Sequence, residues 1–183
     1  MRLIARRALV GIGVAAFVAG CGNSKTEMLS PADVRHIATV RPTSRGWDWP
    51  EKPTQERLAD ACDGWRWQDE AKLGVTSACL FDNAMAAHEG LPRARAFARG
   101  WAKRTVDEYG GHFTDARLDG LGEEAWRIHG DFAGGEEVTY GWRRANLLLQ
   151  VHIQCIFQTC PSDIRLAARD WVNAIDEETR TRQ

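Results

Sequence analysis

Histidines, paired carboxylates, tryptophans and cysteines are the residues of this 183-residue chain with chemistry to offer. The five histidines stand at 36, 88, 112, 129 and 152. His129 and His152 draw attention because strand alternation puts His129 opposite in facing to Ile128, and His152 opposite in facing to Trp142. Both are expected on one sheet face, where they could form an acid–base or metal pair; the plainer reading is two histidines hydrogen-bonded to their neighbours. Glu123-Glu124 and Glu136-Glu137 are carboxylate pairs beside turns. Glycoside chemistry needs two carboxyls facing each other across a gap of about 5–10 Å. Adjacent strand residues point to opposite faces, so neither pair alone meets that need. Trp47-Asp48-Trp49 and Trp65-Arg66-Trp67 set flat apolar rings beside charged hydrogen-bonding groups. Trp47, Trp49, Trp65 and Trp67, with His129 and His152, are therefore the candidate ligand-binding residues, suited to sugars or apolar ligands. The competing role for the rings is to clamp an irregular, proline-rich segment onto the domain. The chain has no Gly-x-Ser-x-Gly, no His-Glu-x-x-His and no phosphate-cradling glycine loop. No catalytic residue, cofactor or metal is assigned, and the balance is against an enzyme.

The cysteines divide by position. Residues 2–7 carry three arginines and no acid, and residues 8–19 are twelve apolar or glycine residues that lead to Gly20 and Cys21. This is the layout of an export signal, with a basic region, an apolar centre and small residues at the cut. The apolar run is too short to span a bilayer, which takes about 20 residues. Val18-Ala19-Gly20-Cys21 resembles the lipobox of bacterial lipoprotein signals, which implies that Cys21 takes a diacylglyceryl group and becomes the first mature residue. Two or more acyl chains would hold the protein stably on the outer face of the cell membrane. Arg6-Arg7-Ala8-Leu9-Val10 also fits a minimal twin-arginine pattern, so the export route is either the general one or the twin-arginine one. The remaining cysteines, Cys62, Cys79, Cys155 and Cys160, are even in number and expected in an oxidising compartment. Three connectivities are open. Proximity in sequence favours Cys62–Cys79 and Cys155–Cys160 over a zinc site, which lacks any Cys-x-x-Cys spacing.

These side chains need elements to position them. Residues 1–20 are expected to be removed, residues 21–55 to form a tether and irregular segment, and residues 56–183 to form one domain. Ser30-Pro31 has the pattern of a short helix start, and Thr54 that of another running to residue 61. Short strands are expected near 65–68 and 76–81. Pro92 is expected to open a helix with Ala94, Phe97, Ala98, Trp101, Thr105 and Tyr109 on one stripe, ended by Gly110-Gly111. Strand-like runs follow at 112–118 and 124–129. In the next hairpin, a turn at Ala145-Asn146 pairs Arg144 with Leu147, Trp142 with Leu149 and Tyr140 with Val151. That register puts the large apolar residues on one face, where Trp126 and Ile128 are expected to join them. Ser162 is expected to cap a last helix with Ile164, Ala167, Ala168, Trp171 and Ile175 inward. The fold class is α+β: an antiparallel meander of three or more strands with two main amphipathic helices packed on it.

Without residues 1–20 the chain loses Arg2, Arg6 and Arg7, which leaves 21 basic against 25 acidic residues, a charge of −4. A mildly acidic chain without a basic stripe is a poor nucleic-acid binder. The Gly-Leu-Gly-Glu-Glu-Ala turn at 120–125 and the Trp-Arg-Arg-x-Asn hairpin at 142–146 lie between a tryptophan-bearing helix and a terminal helix. Over about residues 90–180 this resembles secreted actinobacterial lipoproteins of uncharacterised function. More distantly it is similar to the extracellular sensor domains of mycobacterial receptor kinases, from which it departs in lacking a transmembrane helix and a kinase domain. The resemblance implies ligand or protein binding at the cell envelope and supplies no catalytic motif. The expectation is a membrane-anchored, non-catalytic, sensor-like lipoprotein. The alternatives are a cell-wall glycan- or lipid-processing enzyme, and a structural or accessory subunit of a membrane complex.

Overall fold

The computed structural model describes residues 29–40, 54–59, 62–68, 70–156, 160 and 163–183. Helix α1 (Pro31–Ala38) is followed by strands β1 (Thr54–Ala59), β2 (Cys62–Gln68) and β3 (Lys72–Leu80), then helix α2 (Ala84–Tyr109). Strands β4 (Gly111–Leu118), β5 (Glu124–Phe132), β6 (Gly135–Arg144) and β7 (Leu147–Ile156) lead to helix α3 (Ile164–Arg180). All seven strands form one antiparallel sheet in the order β1-β2-β3-β7-β6-β5-β4. The α+β class holds. The meander is β4 to β7, and β3 docks along β7 to extend the sheet.

The β6–β7 hairpin has the register expected from its alternation, with Arg144 opposite Leu147, Trp142 opposite Leu149 and Tyr140 opposite Val151. Its apolar row joins Val138, Trp67 and Ala78 beneath α1 and α3, and Ile164, Ala167, Ala168, Trp171 and Ile175 all point into this core. Trp67 meets Trp171 edge to face at 5.1 Å between ring centroids. Such a pair contributes about 0.5–1.5 kcal/mol beyond its burial. The Trp171 indole N–H donates to the Val40 carbonyl at 2.8 Å and fastens the chain just after α1. Leu29, Val34, Ile37 and Ala38 are buried in the same core, so the packed unit takes in residues N-terminal of 56. The Ser30 start is a full capping box with Asp33 and Pro31.

The opposite face is also covered. Trp126 and Ile128 stand opposite Gly141 and Thr139, not Tyr140 and Val138. They face α2 together with Leu91, Ala94, Ala98, Ala102 and Leu148. The expected single apolar face is therefore wrong by one residue in β5, and α2 and α3 lie on opposite sides of the sheet. Gly141 is explained by this arrangement: a Cβ there would lie 2.2 Å from the Trp126 ring.

Three helix boundaries are corrected. Residues 54–59 form strand β1, whose pairing with β2 overrides the local helix signal at Thr54. Helix α2 starts eight residues before Pro92, at an Asn83 cap that accepts from the Ala86 N–H at 2.9 Å. Its buried stripe is Ala87, Leu91, Ala94, Ala98, Ala102 and Thr105, whereas Phe97 and Tyr109 are exposed. Small side chains let the helix approach the sheet around Trp126. The α3 cap is Asp163, which accepts from the Arg165 and Leu166 N–H groups; Ser162 lies outside the described residues.

Candidate functional site

The cysteines pair as neighbours. Cys62 is bonded to Cys79, directly opposite it across β2 and β3, and Cys155 is bonded to Cys160 at the corner between β7 and α3. Cys21, Trp47 and Trp49 lie outside the described residues. Trp65 and Trp67 do not form an open stacking platform: Trp67 is 1% exposed, and Trp65 is partly buried against the same core. Both help pack β2 beneath α1 and α3.

His129 and His152 are on opposite faces of the sheet, against expectation. His152 pairs with Thr139 on the α2 side, whereas His129 pairs with Val138 on the α3 side. The same one-residue shift of β5 that turns Trp126 towards α2 carries His129 to the other face. No acid–base couple between the two imidazoles can form through a sheet.

Beside α2, the sheet buries polar groups. Thr139 and His152 Nδ1 share a 2.9 Å hydrogen bond, while His152 Nε2 is buried without a hydrogen-bond partner. Burial, helped by the Arg66 charge, pushes the His152 imidazole down to about 4, so it is neutral. Glu137, next to it in the pattern of β6, points towards α2 and is 2% exposed. Burial pushes its carboxyl up to about 7. Thr105 at 3.5 Å only partly offsets this, and the Trp101 indole helps from close by without completing a hydrogen bond. Desolvation keeps His152 neutral and holds the Glu137 proton until about pH 7.

On the α3 side, near the β5–β6 turn, three side chains converge. His129 and Asp131 are two apart on β5 and share a face, and Asp131 stands directly opposite Glu136 on β6. His129 Nε2 lies 3.5 Å from Glu136 Oε2 and 3.9 Å from Asp131 Oδ1. The three donor atoms all lie within 4.8 Å of one another. From β4, His112 Nε2 reaches Asp131 Oδ2 at 3.4 Å. The His129 side chain is 11% exposed, whereas those of Asp131 and Glu136 are 41% and 35% exposed, so the cluster opens to solvent on its acidic side. The Cys155–Cys160 bridge lies beside it, since Cys155 is opposite Glu136. Of the ligand-binding candidates among the described residues, His129 alone belongs to this cluster. Asp131 and Glu136 meet across the turn, a pairing that adjacency in sequence does not disclose.

The Trp-Arg-Arg-x-Asn hairpin is a structural frame. Trp142 and Arg144 both bond the buried Asp176 carboxylate of α3, the indole at 3.1 Å and the guanidinium through two bonds of 2.5 and 2.8 Å. Arg143 reaches Glu123 at 2.7 Å and Glu124 at 3.1 Å. Ala145 has a φ of 46°, a left-handed backbone held by its N–H donating to Glu123. Asn146 bonds the Phe81 carbonyl and accepts from the Leu29 N–H.

These features define a two-bridge α+β domain with helices on both faces of one antiparallel sheet. Among solved structures, one similar chain is the crystal structure of the extracellular domain of PknH from Mycobacterium tuberculosis. It matches with a TM-score of 0.41 at 12% identity, covering 84% of this chain and 93% of that one. No family model and no curated protein matches the chain. Among the described residues, no helix is long and apolar enough to cross a membrane.

Proposed function

We propose that the protein is an extracytoplasmic lipoprotein, anchored through Cys21, whose α+β domain binds a ligand or protein partner at the cell envelope without catalysis. The observation that carries this reading is the cysteine pairing. Two bridges use Cys62, Cys79, Cys155 and Cys160, so they leave Cys21 as the one cysteine of five outside a bridge. Stable bridges suit an oxidising compartment, and the unbridged thiol stands in the Val18-Ala19-Gly20-Cys21 sequence that a lipid transfer would need. Binding rather than catalysis is supported by the separation of His129 and His152 onto two faces, and by the use of the charged hairpin as a frame.

The test is Cys21→Ser. The wild-type chain is expected in the membrane fraction, with a mature mass that starts at a diacylglyceryl-modified Cys21. The variant is expected to leave the membrane or to remain unprocessed. Cys21→Ser protein that stays membrane-bound at unchanged processed length refutes the anchor. The general and twin-arginine routes separate on Arg6→Lys/Arg7→Lys, which blocks only the second.

A further inference from the structure

We infer that His129, Asp131 and Glu136 form a binding site for a divalent transition-metal ion of the zinc class, set at the β5–β6 end of the sheet on its α3 side. The donor set is mixed, with one imidazole nitrogen and two carboxylate oxygens, which suits such an ion better than magnesium or calcium. The backbone supplies the geometry. A two-residue alternation on β5 and a direct cross-strand pair place the three donors on one face with no loop involved.

Distances support the assignment. Around a zinc ion with bonds of about 2.0–2.1 Å, tetrahedral ligand atoms stand about 3.4 Å apart. His129 Nε2 is 3.5 and 3.9 Å from the two carboxylate oxygens, so these two edges stand within about 0.5 Å of that spacing, and the carboxylate-to-carboxylate edge, inside 4.8 Å, closes by turning exposed side chains. Those separations are long for charge-assisted hydrogen bonds, which run about 2.7–2.9 Å.

Charge gives an independent reason. Asp131 and Glu136 are directly opposite on neighbouring strands, an arrangement that like charges destabilise. A bound cation removes that repulsion. His112 at the outer oxygen of Asp131 would orient the carboxylate, as the groups behind metal ligands do. The partly exposed acidic side leaves at least one coordination position for water or an exogenous donor, the mark of an open site. Arg165 is the nearby cation that competes for Glu136.

The experiment titrates Zn²⁺ into the full-chain protein in detergent, bridges intact, by calorimetry and by competition with a chromogenic chelator. One equivalent is expected to bind with micromolar or tighter affinity. Asp131→Asn and Glu136→Gln alter exposed carboxyls at constant shape and are each expected to weaken binding at least about ten-fold. His129→Gln is expected to abolish it, with near-ultraviolet circular dichroism checking that the tryptophan core is intact. Co²⁺ gives a second readout, a visible ligand-field band that is lost in the same variants. No saturable Zn²⁺ binding below millimolar concentration overturns the proposal. So does binding unchanged in Asp131→Asn and Glu136→Gln, or a preference for Ca²⁺ that survives His129→Gln. Cys21→Ser protein is expected to bind Zn²⁺ as the wild type does, so failure of the anchor and failure of the metal site are separate results.

Discussion

Replacing Glu137 by Gln should change how stability depends on pH, by an amount that follows from its burial. The carboxyl titrates near 4.5 in an unfolded chain and at about 7 in the fold, because desolvation beneath α2 disfavours its charge. Below pH 4.5 it is protonated in both states and costs nothing. As pH rises from 4.5 to 7 the unfolded chain gives up the proton while the fold keeps it, so stability falls; above about 7 the loss is complete. A shift of this size corresponds to about 3 kcal/mol. His152 acts in the opposite sense: its fold value of about 4 lies below the ordinary 6.5, so its contribution is lost as pH falls from 6.5 to 4. Between 4.5 and 6.5 the two slopes oppose one another. Glutamine matches the neutral acid in shape and cannot ionise, and the other titrating groups cancel in the difference between variant and wild type. Glu137→Gln should match the wild type at pH 4 and exceed it by about 3 kcal/mol at pH 8. With a urea slope of about 2 kcal/mol/M, that is a midpoint shift of about 1.5 M. Urea unfolding followed by tryptophan fluorescence at pH 4, 5, 6, 7 and 8 measures it. A difference below about 1 kcal/mol at every pH would show that Glu137 reaches solvent or a cation, and would refute the reasoning.

Two further substitutions probe the frame. Asp176→Ala leaves the Arg144 guanidinium and the Trp142 indole without their shared acceptor, and removing one partner of such a buried pair costs about 3–5 kcal/mol; a loss under 1 kcal/mol in thermal or urea unfolding counts against the hairpin-to-α3 tie. Gly141→Ala drives a methyl group into the Trp126 ring, which has α2 behind it, and overpacking of this kind costs about 1–3 kcal/mol; an unchanged midpoint with unchanged near-ultraviolet circular dichroism would mean that Trp126 does not lie over β6.

What the chain discloses before its structure depends on contrast between neighbours. In the β6–β7 hairpin, Val138, Tyr140 and Trp142 alternate with Thr139, Gly141 and Arg143, so the register follows from side-chain size alone. The same logic misplaces β5, because a sheet covered on both faces gives Trp126 and Ile128 a second core to enter. Helix α2 hides its inward face for a related reason: its buried stripe is mostly alanine, and its large rings at Phe97 and Tyr109 face out. Hydrophobic periodicity reports bulk, and here close approach requires the lack of it. The Arg144–Asp176 tie spans 32 residues and leaves no local trace. The cluster of His129, Asp131 and Glu136 differs, since its assembly follows from local spacing. A two-residue turn at Ala133-Gly134 pairs Phe132 with Gly135, hence Asp131 with Glu136, and alternation then brings in His129. That short count also moves His129 away from His152, so the step that dissolves the expected histidine pair is the one that assembles a mixed nitrogen and oxygen site in its place.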